Sequence, residues 1–175
     1  MKLILKGENC GFTWSASHLL PGHFKCSRMH GHNYVMDVEI ETGNLITLKN
    51  GMIVDFVKIK KVIRDMIEEY DHRLMLPSNA FQEHNFSNMN IIKSKLENLD
   101  SFKIKYKGMK NEDKIYSIPA SDIVFIDGVD FITAEELSRY FKRKITQILL
   151  DMENDVLYKG IYVTIYEDSG QGATS

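Results

Sequence analysis

The stretch CSRMHGHNY, residues 26–34, sets a thiol and two imidazoles within a few residues of one another. In an extended strand, residues two apart point to the same side, so His30 and His32 can reach one metal ion together. His18 closes the preceding strand-like run, and an antiparallel return of the chain brings it alongside them. Three neutral imidazoles leave a fourth tetrahedral position open, the form of a catalytic rather than a structural zinc site. A His-Gly-His turn can also be a plain surface feature; the third histidine, placed where strand geometry needs it, favours metal. Cys26 sits among Lys25, Arg28 and three histidines, a setting that favours thiolate. As a fourth ligand Cys26 would close the open position, so a cysteine beside the metal but not bound to it is the preferred reading.

Two further groups could move protons or read a ligand. Asp71-His72 follows a helical run, and an aspartate beside a histidine can orient the imidazole and raise its basicity. Such dipeptides are common at helix ends, and Glu167, near the end of the last strand-like run, reads alone as an exposed strand-end acid. Lys25 and Arg28 could meet an anionic substrate but read first as solvated loop cations. Cys10 reads as a small buried side chain, separate from Cys26.

The elements that must position these groups follow from periodicity. Residues 2–20 read as extended, with turn signals at Gly7 and Gly11, and residues 21–29 as a loop opened by Pro-Gly. From His30 the pattern alternates, with Tyr34, Met36, Val38 and Ile40 on one face. A second strand-like run covers 44–56, with a turn at Asn50-Gly51. Phe56, Ile59, Val62, Ile63, Met66 and Ile67 recur at helical spacing behind Asp55 as N-cap, and this helix should end near Tyr70. Residues 77–121 are polar, without one clear period; a helical piece around 88–99 and a hairpin around 102–118 are expected there. Residues 122–127 read as a strand. Residues 133–153 form the best helix, capped by Thr133 with Glu136 in capping-box spacing and striped by Leu137, Phe141, Ile145 and Ile148. Residues 160–168 alternate as a final strand. The order predicts an antiparallel α+β domain over 1–175, with helices on one sheet face, an insert at about 77–121, and free sheet edges that favour oligomerisation.

Composition sets the outer bounds. The chain has 175 residues, 43% hydrophobic and 26% charged, with a formal net charge of −2. That is one ordinary globular domain, with no electrostatic footprint for nucleic acid. No apolar run reaches membrane-spanning length, and the opening MKLILKGENCGF lacks the apolar core of a signal peptide, so no membrane partner and a cytoplasmic location are expected.

Taken in order, several motifs carry a resemblance. They are Phe12-Thr-Trp-Ser-Ala-Ser-His18, Cys26-x-x-x-His30-Gly-His32-Asn33-Tyr34, Gly51-Met-Ile-Val-Asp55-Phe56, Asp71-His72, Thr133-Ala-Glu135 and Tyr166-Glu167. The series resembles the 6-pyruvoyl-tetrahydropterin synthase and 6-carboxy-tetrahydropterin synthase family and spans the chain except for about 77–121. The resemblance implies a T-fold, a four-stranded antiparallel sheet with two helices packed on one face. It also implies assembly as a homo-oligomer, a hexamer built as a dimer of trimers. By resemblance His18, His30 and His32 bind catalytic zinc, and Cys26 is the proton-abstracting thiolate. Asp71 and His72 form a partner acid/base pair brought in across a subunit boundary. Glu167 anchors the pterin ring, with Thr133 and Glu135 nearby.

The substrate so implied is a small pterin triphosphate, 7,8-dihydroneopterin triphosphate. The three-residue gap between Cys26 and His30 resembles the 6-carboxy-forming branch, which feeds 7-deazaguanine (queuosine or archaeosine) biosynthesis. The spellings SASH and HGHNY resemble the pyruvoyl-forming branch, which remains the alternative. Cys26 argues against a third branch that carries glutamate there. A non-catalytic pterin-binding T-fold protein has no need of Cys26, Asp71 and His72 together, and a zinc hydrolase lacks a His-Glu-x-x-His base.

Overall fold

The computed structural model describes residues 1–43, 51–82, 87–152 and 158–175. The larger sheet begins with β1 (Lys2–Leu5), β2 (Thr13–His18) and the long β3 (His30–Thr42), followed by helix α2 (Phe56–Ile67). A single helical turn, α1 (Gly7–Cys10), separates β1 from β2. It is pinned by Asp37, which accepts from the Gly7 amide at 2.7 Å and pairs with Lys6 at 2.6 Å. Gly7 must be a glycine, because a Cβ there would lie 2.5 Å from the Met36 carbonyl oxygen.

The alternating pattern is realised. Along β3, Tyr34, Met36, Val38 and Ile40 are buried, and β9 (Tyr158–Tyr166) sets Val163 and Ile165 on the same side in antiparallel register. Helices α2 and α3 (Ala134–Met152) close that side with Ile59, Ile63, Leu137, Phe141 and Ile145, in one core with Trp14. Asp55 caps α2 as predicted, accepting from the Val57 and Lys58 amides; the helix stops at Ile67, short of Tyr70. Thr133 Oγ1 accepts from the Glu136 amide at 3.3 Å. The Glu136 carboxylate turns to Arg139 instead of completing a capping box.

The sheet extends beyond four antiparallel strands. A short C-terminal strand, β10 (Gly172–Thr174), flanks β9. At the other end β4 (Leu74–Pro77) and β8 (Ile123–Ile126) join in parallel, giving the order β10-β9-β3-β2-β4-β8 with β1 also paired to β3. All four residues of β4 are buried. Met75 belongs to the helix-side core, while Leu74 and Leu76 face a second one.

The insert builds that second core. Its three strands, β5 (Asn90–Leu96), β6 (Leu99–Lys107) and β7 (Asp113–Pro119), form a separate antiparallel sheet. Residues 90–96 are thus strand and not the helical piece expected around 88–99. In β5 only Ile91 is buried, so the run shows little period, and its structure comes from pairing with β6. The expected hairpin is β6–β7. Of the second strand-like run expected over 44–56, residues 44–50 lie outside the described residues, and residues 51–55 are bends rather than strand, leading straight into α2. No described helix is long and apolar enough to cross a membrane.

Candidate metal centre and active site

Strands β2 and β3 pair with His18 opposite His30 and Ala16 opposite His32, so the three imidazoles share the buried side of the sheet. Their ligand atoms lie within 4.8 Å of one another, a convergence that marks a candidate metal site among the described residues. The hydrogen bonds fix which nitrogens are free. His18 Nδ1 donates to the Ile132 carbonyl at 2.6 Å, His30 Nδ1 to the Arg28 carbonyl at 2.8 Å, and His32 Nδ1 to Asp168 at 2.9 Å. Each acceptor is an oxygen, so each neutral ring keeps its Nε2 lone pair for a ligand.

Those lone pairs meet one another. His18 Nε2 and His30 Nε2 are 3.1 Å apart, an arrangement that repels between neutral rings. Two nitrogens on one tetrahedral zinc lie roughly 3.4 Å apart, given Zn–N distances of about 2.0–2.1 Å. The donor set and spacing therefore fit zinc. Burial holds the His18 pKa down at about 4, which keeps it a neutral ligand despite the opposing Ile132 hydrogen bond. Behind the triad, Tyr34 stacks on Trp14, which meets Phe141 edge-on.

A cavity of about 450 Å³ gathers Cys26, Thr133, Glu135 and Glu167 from three separate parts of the chain. Cys26 comes from the loop before β3, Thr133 and Glu135 from the start of α3, and Glu167 from the end of β9. The Glu167 Oε1 atom is buried and has no hydrogen-bond partner among the described residues. Burial pushes its pKa up; the His32 charge opposes this, and the Glu135 charge adds to it. A buried carboxylate oxygen without a partner is an acceptor awaiting a donor.

Asp71 and His72 sit elsewhere. His72 Nδ1 donates to Asp71 at 2.8 Å, and the other Asp71 oxygen accepts from the Ser15 amide at 2.7 Å. The His72 amide donates to the Ser15 carbonyl, and its backbone lies at φ +57°. Ser15 points to the sheet side opposite the helices, so the pair lines a different cavity, of about 260 Å³, with Thr13, Ser15 and Asn33; His72 alone also lines an adjoining cavity of about 400 Å³ with Ser17, His32 and Asp168. One chain does not bring the pair into the Cys26 cavity. The His72 side chain is 82% exposed, which leaves it free to enter another site.

Sequence reasoning missed Asp168, the partner of His32. Its one signal is an acid directly after Glu167, where β9 turns back to β10. It also missed His23, whose Nδ1 accepts from the Cys26 amide at 3.3 Å.

The fold class is shared with known proteins. The structure resembles 6-pyruvoyl tetrahydropterin synthase from Plasmodium vivax, with a TM-score of 0.78 at 24% identity over 100% of this chain and 96% of that one. The family model described as 6-pyruvoyl tetrahydropterin synthase matches residues 9–175, and the chain belongs to that family, pterin synthases of the lyase type. Among relatives, a Methanocaldococcus jannaschii protein provisionally named 6-carboxy-5,6,7,8-tetrahydropterin synthase is 32% identical over 99% of this chain and 94% of its own length. The 6-carboxy-5,6,7,8-tetrahydropterin synthase of Rickettsia typhi is 31% identical over 71% of this chain and 86% of its own length.

Proposed function

We propose that this chain is a zinc-dependent 6-carboxy-tetrahydropterin synthase. With water, it converts 7,8-dihydroneopterin triphosphate to 6-carboxy-5,6,7,8-tetrahydropterin, acetaldehyde and triphosphate, a step toward 7-deazaguanine products. The observation that carries this reading is the cavity in which Cys26, Thr133, Glu135 and Glu167, whose Oε1 is unpartnered, meet. The names of the relatives at 32% and 31% identity support the 6-carboxy product.

His18, His30 and His32 would hold zinc through Nε2, each ring fixed by its Nδ1 hydrogen bond. Zinc there supplies Lewis-acid polarisation of the vicinal side-chain hydroxyls, acidifying their carbon-bound protons. Glu167 accepts from the amino and ring N–H groups of the pterin, and the charge on its oxygen strengthens those bonds. Thr133 and Glu135 line the same wall. The Cys26 thiolate takes a proton from the side-chain carbon, and His72, oriented by Asp71, exchanges protons on the other side. In this reading Asp71 and His72 act at the site of a neighbouring copy in a homo-oligomer, a dimer of trimers; their position outside the Cys26 cavity of their own chain supports it.

The test is incubation of the zinc-loaded protein with 7,8-dihydroneopterin triphosphate, with products resolved by mass spectrometry, alongside Cys26→Ala. A 6-carboxy pterin with acetaldehyde, lost in the variant, is the expected result. A 6-pyruvoyl product would move the chain to the sister activity, and binding without product would leave a pterin-binding protein.

A further inference from the structure

The loop that carries Cys26 has little to hold itself in place. Between β2 and β3 it is built from turns, whose backbone bonds His23 to Leu20, Ser27 to His23 and Arg28 to Lys25 are each 3.2 Å long. Among the described residues no strand pairs with it. Its fixed points come from the insert instead. The second core contains Leu19, Ile91, Ile104 and Tyr106, and Met29 packs against it. Ser27 is buried, and the Tyr106 hydroxyl donates to its carbonyl oxygen.

Each of these anchors is the chain neighbour of a site residue. Leu19 follows His18, Ser27 follows Cys26, and Met29 precedes His30. The carbonyls on either side of the Ser27 peptide are also committed: Cys26 O accepts from the Leu20 amide at 2.6 Å, and Arg28 O takes the His30 Nδ1 proton at 2.8 Å. Tyr106 therefore fastens the peptide between the thiol and a metal-ligand support. Its ring stacks on Tyr116 at 6.2 Å. Burial, reinforced by a hydrogen bond with Tyr116, pushes its pKa well above the usual range, so it remains a neutral donor.

We propose that the insert is the positioning element of the Cys26 loop, acting through the Tyr106 hydroxyl on the Ser27 carbonyl to set the thiol in the cavity it shares with Thr133 and Glu167. This rests on the reading of Cys26 as the acting thiol. Tyr106 lines no part of the Cys26 cavity and is a positioning residue.

Tyr106→Phe removes the hydroxyl and keeps the ring. In a Cys10→Ser background, where alkylation reports Cys26 alone, two quantities are measured: steady-state kinetics and the iodoacetamide alkylation rate of the metal-free protein. The expected result is a kcat lower by about tenfold with KM nearly unchanged, since small displacements of a reacting group cost rate before binding. The alkylation rate rises severalfold as the loop loosens. Phe102→Leu, in the same core but away from Ser27, lowers Tm while leaving kcat and alkylation as they were. Should Tyr106→Phe fail to fold, Met29→Ala, which removes the second anchor, is expected to give the same pair of changes. A variant that loses Tm but keeps wild-type kcat and alkylation overturns the proposal and makes the hydroxyl merely structural. If the parent protein forms no pterin product, the enzymatic reading fails, while the alkylation rates still decide whether the insert holds the loop.

Discussion

Asp168 Oδ2 stands 2.9 Å from His32 Nδ1, so one of the three converging imidazoles is oriented by a carboxylate, while His18 and His30 rest on backbone carbonyls. A carboxylate behind a ligating histidine fixes its tautomer and raises its basicity. Asp168 holds this position at φ +132°, a conformation that residues with a side chain rarely adopt. Asp168→Gly thus removes the carboxylate while easing the backbone. We expect zinc affinity to fall by about 10- to 100-fold in a chelator competition, with no loss of Tm in the metal-free protein. An unchanged affinity would show that the pair contributes nothing to the metal site.

Glu167 should reveal the conflict between folding and binding. Its folded-state pKa is raised above the ordinary 4.5, chiefly by burial. The fold therefore favours the protonated acid: the group costs nothing below its unfolded pKa, and the cost grows as pH rises through the folded value. Glu167→Gln should raise the Tm of the metal-free protein by about a degree or two at neutral pH, because the site is partly open to solvent and so partly screened. The difference should vanish near pH 4. Pterin affinity in the same variant should drop by about 10- to 100-fold, as charge-assisted hydrogen bonds are lost. A lower Tm at neutral pH would mean that the carboxylate is already satisfied in the fold.

Much of the candidate site's geometry was legible because its signals are local. His30 and His32 share a strand face by the two-residue period alone, and His18 reaches them through the plain antiparallel return of β2 to β3. Asp55 and Thr133 announce their helices through capping chemistry. What stayed hidden depends on partners distant in sequence. Leu74–Pro77 is a short, wholly apolar run buried on both faces, so it has no period from which to read a strand. Asn90–Leu96 has one buried side chain and is a strand only because β6 lies beside it. Tyr106 and Asp168 take their roles from Ser27 and His32, 79 and 136 residues away in the chain.

Phe141 supports the candidate metal centre from behind. It is fully buried, with ring centroids 5.3 Å from Trp14 and 5.1 Å from Tyr70. Trp14 in turn stacks on Tyr34, whose ring stands 5.8 Å from that of His32. Phe141→Ala should cost about 3–5 kcal/mol, through lost burial and the cavity left behind. For a chain of this size that is a Tm lower by roughly 10 °C or more. A shift of only one or two degrees, followed by calorimetry, would mean that the aromatic stack closes over the gap.

The Asp71–His72 pair carries the sharpest test of how the site is completed. Burial pushes the Asp71 carboxyl up, but the Ser15 amide and His72 outweigh it and leave its pKa below the ordinary 3.8. Its ionised form is thus favoured in the fold, and what it contributes is present above 3.8 and lost only as pH falls through the lower folded value. Across neutral pH the carboxylate holds the His72 Nδ1 proton, leaving Nε2 free to accept one. Asp71→Asn keeps an acceptor for the Ser15 amide but turns an amide N–H toward His72. The wrong tautomer should then lower kcat by about 100-fold or more, with zinc content unchanged. Location is tested by co-expressing Cys26→Ala with His72→Ala, each inactive alone. If thiol and imidazole meet across a subunit boundary, random mixed oligomers should recover about a quarter of wild-type activity. If both belong to one chain's site, no mixed oligomer contains a whole site and the mixture stays inactive.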